Sequence, residues 1–146
     1  MNDEIRRNIK ERWIQSIFEL AHHEYQNRLW IKADYENSVG DFSECVCTYF
    51  DDLDLENGYS AFITDGIITE SEFKIVSELH AEFRKYTERI EKMKLSDKNI
   101  LKDVEWINIT SLGLKTWNEL KKNTELTRDK ELMIKLENKY LTKNAT

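Results

Sequence analysis

Residues 69–93 read Thr69-Glu-Ser-Glu-Phe-Lys-Ile-Val-Ser-Glu-Leu-His-Ala-Glu-Phe-Arg-Lys-Tyr-Thr-Glu-Arg-Ile-Glu-Lys-Met93, and this stretch decides the fold class. Thr69 and Glu72 stand three apart, the spacing of a capping box in which hydroxyl and carboxylate each take one orphan backbone N–H. Behind the box, Phe73, Val76, Leu79, His80, Phe83, Tyr86, Ile90 and Met93 recur at steps of three and four. That period places them on one face of a helix of about 24 residues and excludes the strict alternation of a strand.

The same period extends in both directions. Ile5, Ile9, Trp13 and Ile17, with Ile14, Phe18, Ala21 and Tyr25 beside them, predict a helix over the first 25 residues, capped by Asn2 or Asp3. Asp41, with Glu44 three residues on, opens a helix whose apolar face is Phe42, Val46, Tyr49, Phe50 and Leu53, and Asn57-Gly58 ends it. A short helix from Tyr59 to Thr64 stops at Asp65-Gly66, where glycine supplies the left-handed position. Ser96 caps a helix carrying Ile100, Val104, Ile107, Leu114 and Trp117, with a break near Gly113, and a last helix from Thr127 carries Leu132, Met133, Leu136 and Tyr140. The expected architecture is an all-α, single-domain bundle of five or six helices over residues 1–146, without internal repeats or a Gly/Ser/Pro linker.

Composition agrees with this reading. The chain lacks proline and has four glycines among 146 residues, which excludes turn-rich β and collagen-like architectures. Mean hydropathy is −0.68, but 16 aromatic residues separate the chain from disordered acidic sequences. The N-terminal stretch carries charges at short intervals, and no apolar run approaches the ~18 residues of a membrane span. A cytoplasmic protein without a membrane partner is therefore expected. Cys45 and Cys47 are two apart, point to different sides of a helix and are not expected to pair.

Charge is distributed very unevenly: net +1 over residues 1–33, −12 over 34–82 and +5 over 83–146. Asp51, Asp52, Asp54 and Glu56 crowd the end of one helix and its turn, flanked by Tyr49 and Tyr59. Carboxylates at a helix C-terminus oppose its dipole, so helix stability does not account for the cluster. Two readings stand side by side: a solvated face that keeps the protein soluble, and a docking surface that steers a basic partner, with Tyr49 and Tyr59 as anchors.

Other candidate chemistries fail on spacing. Asp52-Leu-Asp54-Leu-Glu56 alternates like the start of an EF-hand loop, but its twelfth position is Ile63 where a bidentate glutamate is needed. His22 and His23 are adjacent and diverge by roughly 100° on a helix. Glu19 and His22 form one Glu-x-x-His unit where a di-iron bundle needs two. G-x-S-x-G, H-E-x-x-H and glycine-rich phosphate loops are missing. No catalytic residue, metal ligand or cofactor is assigned, and the acidic balance disfavours nucleic acid as a partner.

The strings Tyr49-Phe-Asp-Asp-Leu-Asp-Leu-Glu-Asn-Gly-Tyr59, Asp65-Gly-Ile-Ile-Thr-Glu-Ser-Glu72, Leu79-His80 and Ile100-Leu-Lys-Asp-Val-Glu-Trp106 carry a resemblance. Over residues 42–106 the chain resembles small helical immunity proteins of bacterial polymorphic and contact-dependent toxin systems, although Val104 stands where that pattern has proline. The resemblance implies a cytosolic, non-enzymatic protein that sequesters a basic, toxin-like partner and has no catalytic residues. The partner-binding residues expected are then Tyr49, Asp51, Asp52, Asp54, Glu56 and Tyr59. The alternative is a helical enzyme or metal-binding protein using His22 or His80 with nearby carboxylates. A homo-oligomer joined through its tryptophan-rich helices is a third, structural option.

Overall fold

The computed structural model describes residues 1–142, so the last four residues of the expected 1–146 domain lie outside the described residues. Within 1–142 the chain is all-helical. Its helices are α1 (Asp3–Ala21), α2 (His23–Gln26), α3 (Phe42–Cys47), α4 (Ser60–Thr64), α5 (Glu70–Thr87), α6 (Ile90–Met93), α7 (Asp97–Lys102), α8 (Val104–Asn123) and α9 (Thr127–Tyr140). Two π-helical segments, Asn27–Lys32 and Thr48–Asp52, prolong α2 and α3. The expected count of five or six helices is thus corrected to nine α-helices among the described residues, because three long runs are broken.

The breaks have local causes. At His22 the backbone turns extended (φ −128°, ψ 102°) and ends α1. The Glu19 and Leu20 carbonyls at that end accept from Nε2 of the fully buried Gln26 at 2.8 and 3.3 Å, while Gln26 Oε1 accepts from the Trp106 indole at 2.9 Å. One side chain thereby satisfies two carbonyls that helix termination leaves open. Arg89 is extended between α5 and α6, and Asp103 is extended between α7 and α8. Asp103 caps α8 through the Glu105 amide at 3.2 Å and also accepts from the Tyr86 hydroxyl at 2.8 Å and the Lys92 ammonium at 2.7 Å. The caps at Asn2, Asp41, Thr69 and Ser96 are all present, and Thr69 and Glu72 form the reciprocal capping box.

These breaks shift the helical phase, so several apolar residues read as core face solvent. Ile90 and Val104 are 70 % and 67 % exposed, and Met93, Ile107 and Leu114 are exposed as well; Ile5, in the first turn of α1 and ahead of every break, is exposed too. The inward face of α8 is instead Trp106, Ile109, Thr110, Gly113, Trp117 and Leu120. Gly113 lies inside this helix and marks no break. A Cβ at Gly113 would lie 2.9 Å from the Leu20 carbonyl oxygen and 3.1 Å from the Ala21 Cα, so glycine is what lets α8 rest on the last turn of α1.

The buried apolar side chains form one connected cluster, with α1 packed on α8 and α9, and α5 on α8. Trp13, Trp106 and Trp117 are among its largest fully buried members. Lys10 is buried too: its ammonium lies 2.9 Å from Glu72 at the start of α5 and 3.2 Å from Asp129 at the start of α9. Both carboxylates sit in first turns, where the helix dipole favours negative charge. Among the described residues no helix is long and apolar enough to cross a membrane.

Candidate functional site

The acidic cluster spans the end of the second π-helical segment, which holds Asp51 and Asp52, and the turn after it, which holds Asp54 and Glu56. The Leu53 amide donates to the Thr48 carbonyl at 3.0 Å, Asp54 to Asp51 at 3.2 Å and Gly58 to Leu55 at 3.0 Å. Asp54 takes a left-handed backbone (φ 56°), as does Gly58 (φ 94°); aspartate visits that region more readily than most residues. Leu53 and Leu55 are buried in the core. Their alternation with Asp52, Asp54 and Glu56 anchors the turn on its apolar side and turns the acids outward. Asp51, Asp52, Asp54 and Glu56 are all exposed, and none of them joins an ion pair among the described residues. The sequence pattern brings these four carboxylates together on one segment.

Tyr49 and Tyr59 are elsewhere. Expected as surface anchors, they are instead 0 % and 2 % exposed, which corrects that placement. The physical reason is their hydroxyl chemistry. The Trp13 indole N–H donates to the Tyr59 oxygen at 2.8 Å, the Tyr59 and Tyr49 hydroxyls are 2.7 Å apart, and the Tyr49 oxygen is 2.8 Å from His80 Nδ1. Each buried polar end therefore has a partner, and the rings can contribute their full area to the core. Tyr49 packs edge-on against Phe50 and Phe83, and Phe50 stacks on Phe83 at 5.0 Å. The Arg84 guanidinium lies 5.6 Å from the Phe50 ring and belongs to no ion pair among the described residues.

The histidines of the alternative reading are held apart. His22 is buried, donates from Nδ1 to the Phe18 carbonyl at 2.8 Å and packs edge-on against Trp117. His23 meets the Leu101 carbonyl at 2.9 Å. His80 is half-buried against Tyr49. Burial pushes the pKa of His22 below its ordinary value; for His80, burial and then the Arg84 charge do the same. Among the described residues no group of three or more His, Cys, Asp or Glu side chains is placed to hold a metal ion. Cys45 is buried, Cys47 is exposed, and both thiols are free.

Glu19 accepts from the Trp30 indole at 2.8 Å. Burial, reinforced by Glu44 and Asp41, pushes its pKa to about 7 against the indole's opposing hydrogen bond. A carboxyl that titrates near neutrality is a frequent mark of function. Here its one side-chain hydrogen-bond partner among the described residues is a core tryptophan, which gives it a structural environment.

Sequence reasoning missed three features: the Lys10–Glu72–Asp129 cluster, the Gln26 hub and the inward turn of Leu55. Only Leu55 left a readable signal, the Leu-x-Leu alternation inside the acidic run. No family model, curated protein or solved structure matches the chain.

Proposed function

We propose that the chain is a non-enzymatic bacterial interaction protein of the cytoplasm, of the immunity type, which inhibits a basic, toxin-like partner by covering its cationic site. The observation that carries this reading is the segment Asp51–Glu56: four exposed carboxylates that join no ion pair among the described residues, on a backbone anchored by buried Leu53 and Leu55. Like charges held together concentrate potential and accelerate encounter with a cationic surface. A pre-formed turn also loses little conformational freedom on docking. In a basic nuclease such a surface would occupy the place of substrate phosphates.

The test is co-expression with the toxin-like product of the neighbouring reading frame. The unmodified chain restores growth; the variant D51N/D52N/D54N/E56Q, folded by circular dichroism, does not. With purified partner, association of that variant is slower by about tenfold or more at low salt and loses most of its salt dependence. Wild-type-like rescue and binding by the neutralised variant would overturn the assignment.

A further inference from the structure

We propose that His80 is the proton-sensing end of a hydrogen-bond chain that clasps the acidic turn, so that protonation of its ring loosens the turn and weakens capture of a basic partner. The inference rests on reading that turn as the docking surface. Tyr49 stands just before the turn and Tyr59 just after it, and their hydroxyls meet at 2.7 Å inside the core. Trp13 on α1 holds the Tyr59 end at 2.8 Å, and His80 on α5 holds the Tyr49 end at 2.8 Å.

Counting hydrogens fixes the direction of the chain. An indole N–H only donates, and each phenol has one hydrogen to give. A phenol oxygen can accept twice, but the Tyr59 hydroxyl has no other acceptor among the described residues; only the order Trp13 to Tyr59 to Tyr49 to His80 Nδ1, with that nitrogen unprotonated, gives every hydrogen an acceptor. Three contacts hold three hydrogens. Protonation at Nδ1 puts a fourth hydrogen into the same three contacts, and one phenol hydrogen loses its acceptor among buried rings. A buried donor without a partner is costly, and here opening of the turn relieves it.

The groups facing His80 come from three places. Tyr49 and Phe50 belong to the second π-helical segment, Tyr59 follows the turn, and Arg84 lies one turn further along α5. Of these only Arg84 is charged, and it opposes a second positive charge. No carboxylate hydrogen-bonds the ring among the described residues, so nothing there compensates the imidazolium.

The experiment is amide hydrogen exchange of the full chain, corrected for intrinsic rates and compared between about pH 7.5 and about pH 5.5, the interval in which histidine changes charge. In the wild type, opening at residues 53–58 rises about tenfold on acidification, the fold-change of one buried hydroxyl left unpaired, while the amides of α8 stay protected. In His80→Gln the rise disappears. Tyr49→Phe, which cuts the chain beside the ring, also removes it and serves if the first variant does not fold. Glu19, whose carboxyl is pushed up to about 7, and His22 remain in both variants. A flat wild-type profile, or an equal rise in His80→Gln, overturns the proposal. Binding of a lysine homopolymer at about pH 7.5 is compared in parallel between wild type and the turn-neutralised variant. Equal binding there sinks the docking surface alone, whereas a flat exchange profile with intact, turn-dependent binding sinks the switch alone.

Discussion

The hydroxyl of Tyr49 lies 2.7 Å from the hydroxyl of Tyr59, and this contact closes a loop of the chain around the acidic turn. Neither phenol is replaceable by phenylalanine without loss. Tyr59→Phe strands the Trp13 N–H and removes the donor to Tyr49; Tyr49→Phe strands the Tyr59 hydrogen and the His80 acceptor. Each substitution is expected to cost about 1–3 kcal/mol of unfolding free energy in urea titrations. The double variant should lose less than the sum, because both singles delete the same Tyr–Tyr bond. Additive losses would show that the two hydroxyls do not interact in solution.

Lys10 joins three helices through one ammonium. It contacts both Glu72 oxygens at 2.9–3.0 Å and forms an ion pair at 3.2 Å with Asp129 Oδ2, a buried oxygen without a hydrogen-bond partner among the described residues. Lys10→Met leaves the buried Asp129 and part-buried Glu72 carboxylates together, with only the exposed Arg128 guanidinium, 3.7 Å from the other Asp129 oxygen, to offset their charge among the described residues. The expected loss is about 3–5 kcal/mol, the range for removing one member of a buried ion pair. Adding Asp129→Asn to that background should recover part of it. Chemical denaturation of the single and double variants checks both statements; a double variant weaker than Lys10→Met would contradict the charge account.

Gly113 offers a prediction that runs against helix propensity. Alanine in a helix interior ordinarily gains about 1 kcal/mol over glycine. At Gly113 the added methyl would meet the Leu20 carbonyl oxygen at 2.9 Å and the Ala21 Cα at 3.1 Å, both backbone atoms that yield only if α1 and α8 separate. Gly113→Ala should therefore destabilise the protein by about 1–3 kcal/mol, the usual cost of overpacking. The thermal midpoint decides it: a rise would mean that the helices are further apart than described.

These cases also show what the sequence could reveal. The N-caps, the one capping box and the 3.6-residue period are local signals, so the all-helical class, Asp41, Thr69 and Ser96 are legible from neighbours a few residues away. The exposure of Asp51, Asp52, Asp54 and Glu56 followed from their charge. Tyr49 and Tyr59 were misplaced because a phenol suits a surface or a core equally well, and partners at Trp13 and His80 decide between them. Val104 and Ile107 kept the apolar period across Asp103, but an extended residue there resets the helical phase. Lys10 was invisible for the same reason as Gln26: its partners, Glu72 and Asp129, lie far along the chain.

The pH dependence of stability separates Glu19 from buried His22 and half-buried His80. For Glu19 the folded pKa is raised from 4.5 to about 7, chiefly by burial, so between those values the folded chain holds more protons than the unfolded chain. Stability then falls as pH rises through that window, and the full cost of the carboxylate is present above it. The shift bounds the cost at about 3 kcal/mol, and partial solvent access reduces the expected figure to about 1–2 kcal/mol. His22 and His80 act oppositely. Their folded pKa values lie below 6.5, so the unfolded chain binds the extra protons and stability is lost as pH falls from 6.5 toward those values. Glu19→Gln keeps an oxygen for the Trp30 indole and removes the charge. It should stabilise the protein by about 1–2 kcal/mol at alkaline pH and converge with the wild type as pH approaches 4.5. Its remaining profile should rise from acid to neutral pH, through Glu24, Glu91 and Asp103, whose pKa values lie below the ordinary carboxylate range, and then through the two histidines. Urea midpoints measured across that range test this, and a variant no more stable than wild type above pH 7 would mean that the Glu19 carboxylate is well solvated in the folded chain.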